Sequence, residues 1–180
     1  MARQPRIDYP GAFHHVMNGG VNGTPIYRNA MDRRRFLDEM VEAFTQHELR
    51  IHAYALMQTH FHVLVESSTG SLSSGMQALG SRYSQGFNAI HERYGPLFRS
   101  RFTSRLIDSD AYFSTASRYI HLNPLDTGVV DLADYSWSSW PAYCGAVDAP
   151  SWLERNRTIQ HFGSVEAYVN FVTAGIRHAA

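Results

Sequence analysis

The chain contains no lysine and a single cysteine, Cys144. One cysteine excludes an intramolecular disulfide framework and any cysteine-based metal knuckle, so metal chemistry here must use histidine and oxygen ligands. Long apolar runs are absent as well. None approaches the ~20 residues needed to span a bilayer, and the opening MARQPRIDYPG lacks the apolar stretch of a signal peptide. No membrane partner is therefore expected, and a cytoplasmic location is. Net charge is missing too, with 16 basic and 16 acidic residues, so the total carries no sign of a nucleic-acid partner. What is present suits a folded protein: hydrophobic residues make up 44% of the 180 and charged residues 18%, which excludes disorder and fibrous repeats and supports one sizeable core.

The neutral total hides an asymmetry. Every basic residue is an arginine, and between Arg82 and Arg118 six arginines (82, 93, 99, 101, 105 and 118) stand against three acids. From Asp126 to Glu166 the balance reverses, with six acids against Arg155 and Arg157. Such clustering is what a local anion-binding surface requires, although an ordinary solvated face can share it.

Periodicity orders the elements. Phe13 to Asn18 (FHHVMN) reads as a strand stopped by Gly19, Gly20 and Gly23, and Met31 to Glu48 as a helix with Leu37, Met40, Val41 and Phe44 on one face. The runs RIHAYALM (50–57) and HFHVLVE (60–66), separated only by Gln58 and Thr59, predict a tight hairpin. Leu72, Met76, Leu79, Tyr83, Phe87 and Ile90 form a helical stripe, which Gly75, Gly80 and Gly86 each weaken by up to ~1 kcal/mol relative to alanine. Leu97 to Ile107 alternates, with Phe98, Phe102 and Leu106 opposed to Arg99, Arg101 and Arg105, and predicts a strand with an arginine face. Asp108, Ser109 and Asp110 then cap a helix running to Asn123 and stopped by Pro124. The order βαββαβα predicts an α+β fold, a ferredoxin-like antiparallel sheet with packed helices. Residues 1–143 are expected to form the main domain. Residues 144–180 are expected as an extension packed on it, continuing an irregular Trp-rich stretch and ending in a helix from Ser164 to Arg177. Trp137, Trp140 and Trp152 are expected to pack rather than to stack on bases.

On a strand, residues two apart share a face, so His60 and His62 point together while Phe61 points away. Two imidazoles side by side can be cis ligands of one metal ion or two donors to one phosphate; a pair of hydrogen-bonded strand histidines has the same pattern. Tyr119 and Asn123, four apart on the last predicted helix, also share a face. If that helix crosses the histidine face, Asn123 adds an oxygen ligand and Tyr119 a nucleophile beside the metal. If it does not, both are ordinary packing and helix-end residues. A hydrolase reading, with Zn2+ on His60 and His62, would need a water-activating base, and Glu66 stands about two residue pairs away.

The runs MQTHFHVLVE, DSDAYFSTASRYIHLNPLDTG and DYSWSSWPAY closely resemble the HUH single-tyrosine transposases, in particular the REP-associated tyrosine transposase branch of these insertion-sequence transposase-like proteins. The likeness runs from about Phe13 to Tyr143. It implies that His60 and His62 bind Mg2+ or Mn2+ with Asn123 as third ligand, and that Tyr119 is the catalytic nucleophile. It further implies cleavage of single-stranded or hairpin DNA and strand transfer through a 5'-phosphotyrosine link, by a monomer or homodimer associated with the nucleoid. Arg99, Arg101 and Arg105 would follow the DNA backbone, with Tyr83 or Phe87 as stacking partners and Arg118 steadying the phosphate. Relatives commonly carry Pro-Asn before the first histidine and an arginine after the Met-Asn of the first strand, where this chain has Gln58-Thr59 and Gly19. Those departures motivate an alternative: a domesticated DNA-binding or regulatory protein with the same fold and little or no turnover.

Overall fold

The computed structural model describes residues 6–176. Its elements follow the expected order: β1 (Ala12–Gly19), α1 (Ala30–Gln46), β2 (Leu49–Leu56), β3 (His60–Ser67), α2 (Leu72–Ile90), β4 (Thr103–Ile107) and α3 (Asp110–Leu122). The four strands form one sheet in the order β2-β3-β1-β4, every neighbouring pair antiparallel. This is the ferredoxin-like arrangement, in which the first strand is central and its two faces are covered by different helices.

The alternation of β1 and β3 decides what each face holds. Val16, Phe61, Val63 and Val65 point to one side, where they meet Phe36, Met40 and Phe44 of α1 and Leu72, Leu79, Tyr83 and Phe87 of α2 in the main core. The other side carries Ala53, Ala55 and Leu64, over which Phe113, Ala116 and Ile120 of α3 pack. Two alanines on β2 leave room for α3 to approach the sheet closely. Asn29 and Ser109 cap α1 and α3, each side chain accepting from a backbone N–H three residues on.

Several expectations change in detail. The stripe on α2 is buried as far as Phe87, but Ile90, at its end, is 56% exposed. Gly75 is a point of close approach: a Cβ there would meet Leu49 Cδ1 at 2.5 Å, whereas at Gly80 it would meet nothing within 4 Å. The strand expected from Leu97 begins only at Thr103, because residues 97–102 form bends with a single bridge from Phe98 to Gly20. Tyr83 and Phe87 are wholly inside the core, so neither can stack on a base.

The C-terminal segment adds α4 (Trp140–Tyr143), α5 (Asn156–Phe162) and α6 (Val165–Ala174); Arg177, the expected end of the last helix, lies outside the described residues. Trp140, Tyr143, Leu153, Tyr168 and Val172 are buried in the same core as the α1 and α2 face of the sheet. A buried polar chain also ties this segment to α3. The Tyr168 hydroxyl bonds both Ser117 Oγ and His121 Nδ1, the latter at 2.8 Å, and His121 Nε2 reaches Ser139 Oγ at 2.8 Å. Ser139 Oγ in turn accepts the backbone N–H of Tyr54 on β2 at 2.9 Å. No helix among the described residues is long and apolar enough to cross a membrane.

Candidate active site

The register of the sheet places the histidines. Gly19 of β1 pairs with His60, Met17 with His62 and His15 with Leu64, so His15, His60 and His62 stand on the face covered by α3. The rings of His60 and His62 lie 5.1 Å apart, perpendicular to one another. α3 crosses this face, and the Tyr119 ring sits edge-on to His62 at 5.4 Å and to His15 at 5.7 Å. Asn123, directly after the last turn of α3 and buried, is a hydrogen-bonding neighbour of His60. The two histidines, the tyrosine and the asparagine singled out in the sequence thus come together, with the tyrosine 48% exposed and open to a substrate.

The environment keeps the rings neutral. Burial, reinforced by the neighbouring His15 and His60, lowers the pKa of His62 to about 3. Burial and then the Arg105 guanidinium lower that of His15 to about 4. His60 is lowered by burial as well, against a raising contribution from its hydrogen bond to Asn123 and with a further lowering one from Arg99. Neutral imidazoles keep the lone pair that a metal needs. Each is also held at Nδ1: His62 by His15 Nε2 at 2.9 Å and His60 by Thr59 Oγ1 at 3.1 Å. Among the described residues no group of three or more His, Cys, Asp and Glu side chains is arranged to hold a metal ion. His15 turns its Nε2 to the neighbouring ring of His62 instead. Two neutral imidazoles with a buried amide oxygen are a donor set that suits a hard or borderline divalent cation.

Nothing in the spacing of the sequence singles out His15. The adjacent pair His14-His15 must send one ring to each side of the sheet, and only the register shows which. His14 faces the other way, against Asp8 and Ser104 at 3.1 Å each.

The arginines divide. Arg105 pairs with His15 across β1 and β4 and Arg99 acts on His60, so both border the histidines. Arg101 lines a cleft of about 480 Å3 on the other side of the sheet, with Phe61, Met76, Phe98 and Phe102. Arg118 lays its guanidinium over the Phe171 ring at 4.4 Å, and its stem lines a hollow of about 350 Å3 beside Tyr119 and Asn123. They do not form a stripe along one strand, because only Arg105 belongs to β4. Glu66, the base a hydrolase would need, is occupied by His52 at 3.3 Å and Arg50 at 3.7 Å.

The two departures from the familiar pattern touch one another. A Cβ on Gly19 would come within 3.1 Å of the Thr59 carbonyl and 3.2 Å of His60 Cβ. The Gln58-Thr59 turn is nevertheless pinned, since Gly20 N–H donates to the Thr59 carbonyl at 2.9 Å and Ile26 N–H to that of Gln58 at 3.0 Å.

Residues 14–123 match the family model described as IS200-like transposase. The chain belongs to the IS200-like transposase family. The matched segment begins in β1 and ends on Asn123, spanning every residue of the site. A REP-associated tyrosine transposase bound to a REP hairpin has a similar structure, with a TM-score of 0.66 at 15% identity over 83% of this chain and 89% of that one. That likeness establishes for this transposase-family chain the same α+β fold. A putative transposase from Deinococcus radiodurans r1 aligns with a TM-score of 0.44 at 16% identity, over 67% of this chain and 95% of that one. Among curated proteins, none matches significantly.

Proposed function

We propose that this transposase-family protein cleaves and rejoins single-stranded or hairpin DNA by transesterification, with Tyr119 as nucleophile. The observation that carries the reading is the convergence of Tyr119 with His62 at 5.4 Å on the face where His60 meets Asn123. The Tyr119 oxygen forms a bond to phosphorus and the bond from phosphorus to the 3' oxygen breaks. The phenol proton passes to solvent and the departing 3' oxygen takes one up. The product is a 5'-phosphotyrosine link and a free 3'-hydroxyl, and reversal on a second strand gives transfer without hydrolysis.

His60, His62 and Asn123 would hold Mg2+ or Mn2+. Bound there, such an ion stabilises charge developing on the phosphoryl oxygens. Arg105 and Arg99 add positive charge near His15 and His60, which favours the approach of a polyanionic strand. Tyr119 is exposed and edge-on to two neutral rings, so a phosphate can approach it from solvent.

A denaturing gel that retains covalent protein–DNA products tests the proposal. With single-stranded hairpin oligonucleotides and Mn2+, the wild type should form an adduct, while His60→Ala and His62→Ala should form none and keep native circular dichroism. Adduct formation by either variant at the wild-type rate would remove that histidine from the mechanism. Hairpin binding by the wild type without an adduct, under any substrate and metal tried, would favour the domesticated binding protein.

A further inference from the structure

We infer that His15 is a positioning residue: by accepting the Nδ1–H of His62 on its own Nε2, it holds His62 in the one tautomer whose Nε2 can bind a cation. The inference rests on the proposed role of His60 and His62 as metal ligands.

His15 Nε2 and His62 Nδ1 are 2.9 Å apart and both rings are buried. A neutral imidazole has one donor and one acceptor nitrogen, so the proton between these atoms belongs to one ring and the lone pair to the other. If the proton sits on His15, then His62 must carry its own proton on Nε2, and no lone pair is left for a metal. If it sits on His62, Nε2 is free. Only the second assignment is compatible with His62 as a ligand. His60 is likewise engaged at Nδ1, by the Thr59 hydroxyl at 3.1 Å, which can donate or accept and so leaves the tautomer of His60 to its other contacts.

Position explains why this residue can do it. His15 and His62 are diagonal neighbours on adjacent antiparallel strands, within reach across one face. The contact orients the ring as well as its proton, since Tyr119 packs edge-on to both His15 and His62. Ligating histidines commonly donate their second N–H to a carboxylate or carbonyl. An imidazole acceptor performs the same orientation without bringing a negative charge, and so leaves the charge of a bound cation available to the phosphate. A packing role alone would be met as well by an apolar ring of similar size.

Long-range 1H–15N spectra of the metal-free protein, with 15N-histidine and assignments from single variants, read the tautomer directly. The inference expects His62 protonated at Nδ1 and bare at Nε2, with His15 bare at Nε2. His15→Phe, which keeps a ring and loses the acceptor, should abolish that preference and weaken Mn2+ binding 10- to 100-fold by titration calorimetry. His15→Gln, whose amide oxygen can accept the same N–H, should stay close to wild type in both. Equal thermal melts for the two variants establish that folding does not explain the difference. A wild-type His62 protonated at Nε2 overturns the inference, as does His15→Gln losing Mn2+ as fully as His15→Phe. A wild type with the expected tautomer that binds no Mn2+ overturns the metal reading instead, so the two failures are distinct.

Discussion

Tyr168→Phe removes one oxygen from the C-terminal helix α6 and should destabilise the whole fold. That hydroxyl links Ser117 Oγ and His121 Nδ1 in the buried chain that joins α6 to α3. Both partners are fully buried, so water cannot replace the lost bonds without opening the core. Leaving a buried donor or acceptor unmet costs about 1–3 kcal/mol, and two such atoms therefore place the loss at about 3 kcal/mol or somewhat more. For a chain of this size each kcal/mol corresponds to about 2–4 °C, which gives a melting point lower by about 6–12 °C. Urea unfolding followed by circular dichroism measures the free energy, and calorimetry the midpoint. Adding Ser117→Ala should recover part of the loss, because one orphaned atom is then gone. A change below about 0.5 kcal/mol in Tyr168→Phe, the level of an ordinary surface substitution, would refute the reasoning and detach α6 from the core.

Other perturbations have equally definite outcomes. Gly80→Ala places a Cβ in open space and should stabilise α2 by about 1 kcal/mol. Gly75→Ala, whose Cβ meets the buried Leu49 side chain, should lower the melting point instead; equal gains in the two variants would contradict the packing described. Arg99→Ala and Arg105→Ala should each reduce the log-log salt slope of single-strand DNA binding by about 0.7, since both guanidinium groups border the histidines. An unchanged slope in the double variant would remove them from the interface.

Much of this fold is legible in the chain because its helices and strands have unambiguous periods. The α1 and α2 stripes, the alternation of β1 and β3, and the Asn-Pro end of α3 each reflect a local rule that tertiary structure did not override. Residues 97–107 show the limit. Their alternation is real, but the bends of residues 97–102 interrupt the strand and send Arg101 to the cleft opposite the histidines. Tyr83 and Phe87 illustrate another: an aromatic on a helical stripe is a core residue first, and both are buried. The site was legible where its residues share one element, as His60 and His62 share β3 and Tyr119 and Asn123 lie one turn apart at the end of α3. His15 was not, because its place beside His62 depends on the pairing of β1 with β3, and a strand bearing two successive histidines does not say which faces inward. The same holds for Thr59, whose hydroxyl reaches His60 only once the turn is formed.

Tyr119 as the point of covalent attachment is the central claim, and mass spectrometry of the protease-digested adduct tests it most directly. The peptide containing Tyr119 should carry the nucleotide mass, with fragmentation placing it on that side chain. Tyr119→Phe should yield no adduct while binding the same hairpin with little change, and Tyr112→Phe should behave as wild type. Attachment at any other residue, or an undiminished adduct from Tyr119→Phe, would contradict the account.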